Sequence, residues 1–148
     1  MKPIKNFEDF IKNGTVKKQS PDISRAESLV KDSEREYYFL AEIIKKIGID
    51  DKNANTIIKV SYDIIMDLIR AKMLEKGFNA TGIGAHEAEV SYLRELGFGE
   101  NDVQFADQLR YFRNRIMYYG KILDKEYAEK VLGFMNKTYP RLRQMLKY

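Results

Sequence analysis

The sequence predicts an all-α fold, an up-and-down antiparallel bundle of about four to five helices, and three observations lead there. Apolar residues recur at spacings of three and four along most of the chain. Glycines and capping residues divide those periodic stretches at short intervals. No stretch alternates apolar and polar residues with the period of two that a half-buried strand requires, so no sheet is expected.

The first element is a short amphipathic piece, Asn6 to Asn13, with Phe7, Phe10 and Ile11 on one side and Gly14 closing it; a polar linker, Thr15 to Ser20, follows. Ser20 or Asp22 can cap the next helix, and Pro21 is tolerated in its first turn. Ile23, Ala26, Leu29 and Val30, then Tyr37, Leu40, Ile43, Ile44 and Ile47, carry helical spacing to Gly48, a rod of about seven turns. After the polar turn from Ile49 to Asn55, a second long helix runs through Ile57, Ile58, Ser61, Ile64, Ile65, Leu68, Ile69, Met73 and Leu74 to Gly77. Its apolar arc is wide, which predicts a central position. Asn79 to Gly84 reads as a loop, Ala85 to Leu96 as a shorter helix stopping at Gly97-Phe98-Gly99, and Glu100 to Lys121 as another long helix. Asp124 can cap a last helix through Tyr127, Val131, Leu132, Phe134 and Met135, which Pro140 is expected to kink or divide before a basic tail, Arg141 to Tyr148.

Composition narrows the function. The 148 residues suit one domain spanning 1–148, and 44% hydrophobic with 32% charged residues describes a globular chain rather than a disordered one. No apolar run approaches the roughly 20 residues needed to cross a bilayer, and the first residues lack a signal-peptide core, so a cytoplasmic protein without membrane contact is expected. With no cysteine and one histidine, zinc clusters, thiol nucleophiles and Ser-His-Asp triads are set aside; no metal and no cofactor is expected. Net charge is +4, and from residue 101 onward ten Lys or Arg face five Asp or Glu. That excess favours a nucleic-acid or acidic-protein partner.

The stretch Leu109 to Gly120 concentrates the chemistry. Leu109, Phe112, Ile116 and Tyr119 share one helical stripe, expected to be buried, while Arg110, Arg113, Asn114 and Met117 form the stripe beside it. Guanidinium and amide donors in a row suit an anionic ligand or an acidic partner. Arg115 reads as an ordinary surface charge. Asp63 and Asp67, four apart, are expected to pair with Arg70 rather than hold magnesium. Gly82 and Gly84 lie at a helix start but lack the lysine and preceding strand of a phosphate loop. Tyr37, Tyr38 and Phe39 fit either a base-stacking platform or packing within the bundle.

Assembled, the pattern is a long-helix bundle, a Gly-rich loop leading to His86-Glu87, and a helix bearing Arg113-Asn114-x-x-x-Tyr118-Tyr119-Gly120. It resembles the HEPN superfamily, named for higher eukaryotes and prokaryotes nucleotide-binding, over about residues 20–140. The resemblance implies a homodimer in which Arg113 and Asn114 of both protomers line a cleft that engages a nucleotide or RNA. It also implies a minimal nucleotidyltransferase as partner, in a toxin-antitoxin-like pair. Tyr118 occupies the place of the family's catalytic His, so weak or no ribonuclease activity is expected: tyrosine titrates near 10 and is a poor base at pH 7. The candidate ligand-binding residues are therefore Arg110, Arg113, Asn114, His86 and Tyr118, with Arg113 and Tyr118 the candidates for any catalysis and Tyr118 and Tyr119 those for nucleotide modification. His86 either lines the cleft with Arg113 or packs locally at its helix start. Two alternatives stay open: an active metal-independent endoribonuclease, and a structural dimeric adaptor whose arginines pair with acids such as Asp107 of a second copy.

Overall fold

Short caps and long apolar stripes produce six helices in the computed structural model, which describes residues 2–148: α1 (Phe7–Lys12), α2 (Ile23–Ile47), α3 (Ala54–Glu75), α4 (Ala85–Glu95), α5 (Glu100–Tyr119) and α6 (Lys125–Gln144). Asp22 caps α2 by accepting from the Arg25 N–H at 3.1 Å, and Asp124 caps α6 by accepting from the Tyr127 N–H at 2.9 Å. Pro21 thus precedes the cap of α2 instead of entering its first turn.

The all-α expectation holds, and α3 is central as its wide apolar arc requires: it packs against α2, α4, α5 and α6. Ile58, Ile64, Leu68 and Ile69 of α3 are completely buried, each contributing about 1.5–3 kcal/mol by leaving water. Where α2 crosses α3, Ser33 is buried and its Oγ donates to the Ile64 carbonyl at 2.8 Å, which satisfies the hydroxyl and lets the two backbones approach. Chain direction alternates along the principal helices. Ser33 meets Ile64 while Asp22 donates to Leu74, so α2 and α3 are antiparallel. Asn55 meets Lys121 while Asp63 meets Arg113, so α5 is antiparallel to α3 as well. Asp51 meets Lys125 and Lys72 meets Met145, leaving α6 parallel to α3.

Two sequence expectations need correction. A small antiparallel sheet is present: β1 (Val16–Lys18) lies in the presumed linker and pairs with β2 (Phe78–Ala80) in the presumed loop, Val16 opposite Ala80 and Lys18 opposite Phe78. Three residues per strand are too few for a period of two to register. The pairing depends on Gly77, whose φ of +82° suits glycine and whose Cβ position would lie 2.5 Å from the Gln19 carbonyl oxygen. The Gly77 carbonyl accepts from the Gln19 N–H at 2.8 Å there. Pro140, second, does not divide the last helix; α6 continues to Gln144. The proline ring is exposed, and Leu142 and Leu146 beyond it are buried, so their packing holds the helix together past the missing N–H.

Candidate functional site

On α3, an otherwise apolar rod, Asp63, Asp67 and Arg70 follow each other at spacings of four and three and so share one stripe. Packing of α4 and α5 against α3 brings further charge to that stripe. Arg70 is the hub: its Nε donates to Glu89 Oε2 at 2.8 Å, its Nη1 to Asp67 Oδ1 at 3.3 Å, and its Nη2 lies 3.2 Å from His86 Nδ1. His86 Nδ1 is also 3.0 Å from Glu89 Oε1. One ring nitrogen cannot donate to the carboxylate and accept from the guanidinium at once. The shorter contact and the negative charge of Glu89 place the proton on Nδ1, which leaves Nε2 as the nitrogen free to accept. Glu89 is buried and His86 half exposed, so the acid is the fixed member of the pair.

The arginine row of α5 is less free than its sequence suggests. Arg110 Nε donates to Asp107 Oδ1 at 2.8 Å, within the same chain, and Arg110 Nη1 lies 3.9 Å from Glu87. Arg115 leaves the row altogether, its guanidinium stacking over Tyr111 at 5.7 Å and Tyr119 at 5.2 Å from the ring centroids. Arg113 differs from both. Its guanidinium sits 5.4 Å from the Tyr62 ring centroid, its Nη2 comes no nearer than 3.9 Å to Asp63 Oδ1, and its Nε is buried with no hydrogen-bond partner. The Tyr62 hydroxyl beneath it is also buried and unpartnered. Arg113 is therefore neither dissolved in bulk water nor consumed by the core.

Burial sets the titration of this region. It pushes Asp67 up to about 6, with Arg70 pulling the other way. Asp63 is raised by burial, against the pull of Arg113, Arg70, His86 and Lys59. Glu36 of α2 is raised by burial and then by Asp63 and Asp32, so α2 supplies the acidic opposite wall. Burial works against the charge of Arg70, but Glu89 outweighs it and the guanidinium is held protonated more firmly than usual. Tyr62 is raised by burial. α2 and α5 both pack on α3, and the strip of α3 between them, bearing Asp63, Asp67 and Arg70, forms a groove with donors from α4 and α5 on one side and carboxylates of α2 on the other.

Of the residues singled out from sequence, His86 meets Arg70 and Glu89 and Arg113 faces Asp63, whereas Arg110 is turned to Asp107 and Glu87; Asn114, beside Arg113 in the chain, is half-buried. Tyr118 does not join them within one chain: at 100° per residue it lies about 140° around α5 from Arg113, and it is exposed. Tyr119 requires a correction. It is 74% exposed and no part of the buried seam, because α5 by then has reached the end of the bundle, where Asn55 ties the chain down at Lys121 and Leu123. Leu109 and Ile116 are buried and Phe112 half-buried, edge-on to Tyr127. Asp67 pairs with Arg70 as expected; Asp63 faces Arg113 instead. Tyr37 stacks on Tyr139, whereas Tyr38 and Phe39 are exposed. In the tail, Arg141 covers the Phe98 ring and donates to the Gly97 carbonyl. Sequence reasoning missed the Arg70–Glu89 pair and Tyr62; the one available signal was the polar stripe on α3.

No helix among the described residues is long and apolar enough to cross a membrane. Comparison with protein-family models, with curated proteins and with solved structures finds no match to this chain.

Proposed function

We propose that this chain is a HEPN-type nucleotide- or RNA-binding protein, cytoplasmic and homodimeric, with weak or no ribonuclease activity. The observation that carries the reading is Arg113: a half-buried guanidinium whose nearest carboxylate, Asp63, stays 3.9 Å from its Nη2. A phosphate oxygen would give its Nη groups a close acceptor, and a charge-assisted hydrogen bond in a partly desolvated site is among the stronger polar contacts available. The exposed Met117, Tyr118 and Tyr119 in the last turn of α5, and Ile122 just beyond it, form an apolar end that a second protomer would cover. A minimal nucleotidyltransferase is the proposed protein partner, with the exposed hydroxyls of Tyr118 and Tyr119 as its acceptors; intact mass after incubation with ATP and such an enzyme would rise by one nucleotidyl group, and an unchanged mass removes this part.

The deciding experiment measures single-stranded RNA binding against salt, together with mass in solution. Affinity should fall steeply with salt, with a log-log slope of about −0.7 per phosphate engaged. Arg113→Ala should weaken binding by about tenfold or more and reduce that slope. Binding indifferent to salt and to Arg113, or a monomer at all concentrations, overturns the reading.

One observation favours a second reading, active metal-independent cleavage. Glu89 fixes His86 so that Nε2 is available as a base, on the groove that holds Arg113. RNA cleaved in EDTA to 2′,3′-cyclic phosphate ends, with loss of that activity in His86→Ala, would establish it; intact RNA under those conditions rejects it.

A further inference from the structure

Beside the groove, and sharing Arg70, His86 and Glu89 with it, lies a pocket of about 180 Å³. Met73 and Leu74 at the end of α3 provide apolar lining, Arg25 of α2 and Ala85 of α4 face it, and Phe78, Asn79 and Ala80 complete it. Side chains of consecutive strand residues point to opposite faces, so a pocket touched by all three residues of β2 lies at the strand's edge. The partner strand identifies which edge. Gln19 donates to Gly77 and Thr81 donates to Thr15, so hydrogen-bonded pairs fall at alternate residues and include Lys17 with Asn79. Phe78 and Ala80 occupy the intervening positions, where N–H and C=O point away from β1. Among the described residues these peptide groups have no second strand to pair with.

We infer that this pocket receives a single nucleobase, while the attached phosphate remains outside in the groove. The inference rests on the proposed RNA-binding reading and adds the subsite that reads the base. Three features favour a base over other occupants. The space is below the few hundred Å³ of sites for drug-sized molecules and suits one ring system; it has no room for a peptide strand on the free edge of β2. Its lining pairs apolar carbons with hydrogen-bonding edges: the free N–H and C=O of β2, the Asn79 amide and the free Nε2 of His86 offer donors and acceptors to the rim of a planar heterocycle. The interior disfavours a phosphate, because the Glu89 carboxylate lines the wall and Arg70 is already paired with Glu89 and Asp67, which leaves Arg25 at the pocket's side as the cation without a carboxylate partner among the described residues.

The test uses the full chain with adenylate, inosinate, cytidylate and uridylate hexamers and an abasic ribose-phosphate hexamer of equal length. At least one base-bearing hexamer should bind about tenfold tighter than the abasic one. Ala85→Leu, which fills the pocket from the first residue of α4, should bring that hexamer down to the abasic level with circular dichroism and Tm unchanged, and Asn79→Ala should lower the preference partway. If abasic and base-bearing hexamers bind alike through Arg113, the base subsite is wrong and the phosphate reading stands. A base preference that survives both variants also overturns the subsite, placing the stacking elsewhere. If no hexamer binds, both fall together.

Discussion

Glu89 has both carboxylate oxygens engaged, one by Arg70 and one by His86, in a position almost closed to water. Its removal strands the Arg70 charge against Asp67 alone. Glu89→Ala should therefore cost about 3–5 kcal/mol in urea unfolding, with Glu89→Gln losing less because the amide oxygen still accepts from the guanidinium. A loss within experimental error would show that Arg70 reaches water when released. At this scale Arg113 was legible, since an arginine among Leu109, Tyr111, Phe112 and Ile116 on a helix cannot be wholly solvated. What held it was not legible. Asp63 is fifty residues away in sequence, and nothing local announces that the two side chains meet.

Helices were legible nearly to their ends, because periodic apolar spacing and punctuation by Asp22, Gly48, Gly77, Gly97, Gly120 and Asp124 act within a few residues. The exceptions are instructive. β1 and β2 exist through each other, sixty residues apart, and neither carries a strand signal alone. α6 crosses Pro140 because its apolar face on both sides is buried together. Pro140→Ala restores a backbone donor toward Asn136 and should stabilise the protein by about 1–3 kcal/mol, read as a higher Tm. A lower Tm would mean that the backbone restriction of proline outweighs the regained donor in seating Leu142 and Leu146 in the core.

For the whole molecule, the acidic wall of the groove makes stability depend on pH. Asp67 titrates at about 6 when folded and near 3.8 otherwise, so the folded state binds the proton more tightly. Its contribution favours folding below about pH 4 and is lost as pH rises through 6, a change of roughly 2–3 kcal/mol. Asp63 and Glu36, also raised, act in the same direction. Asp67→Asn should raise stability at pH 7, change it little at pH 4, and flatten the curve between; an equal effect at both pH values would refute the burial argument.

Local spacing by itself determined which segments are helices, that α3 lies at the centre and that α5 carries a guanidinium row, because each follows from periodicity within a few turns of chain. Tertiary structure alone decided which of those arginines remains loosely paired, that α4 brings Glu89 and His86 to Arg70, and that two short segments form a sheet with an open edge. These are contacts across long separations, set by how the helices pack, and no local pattern of residues encodes them.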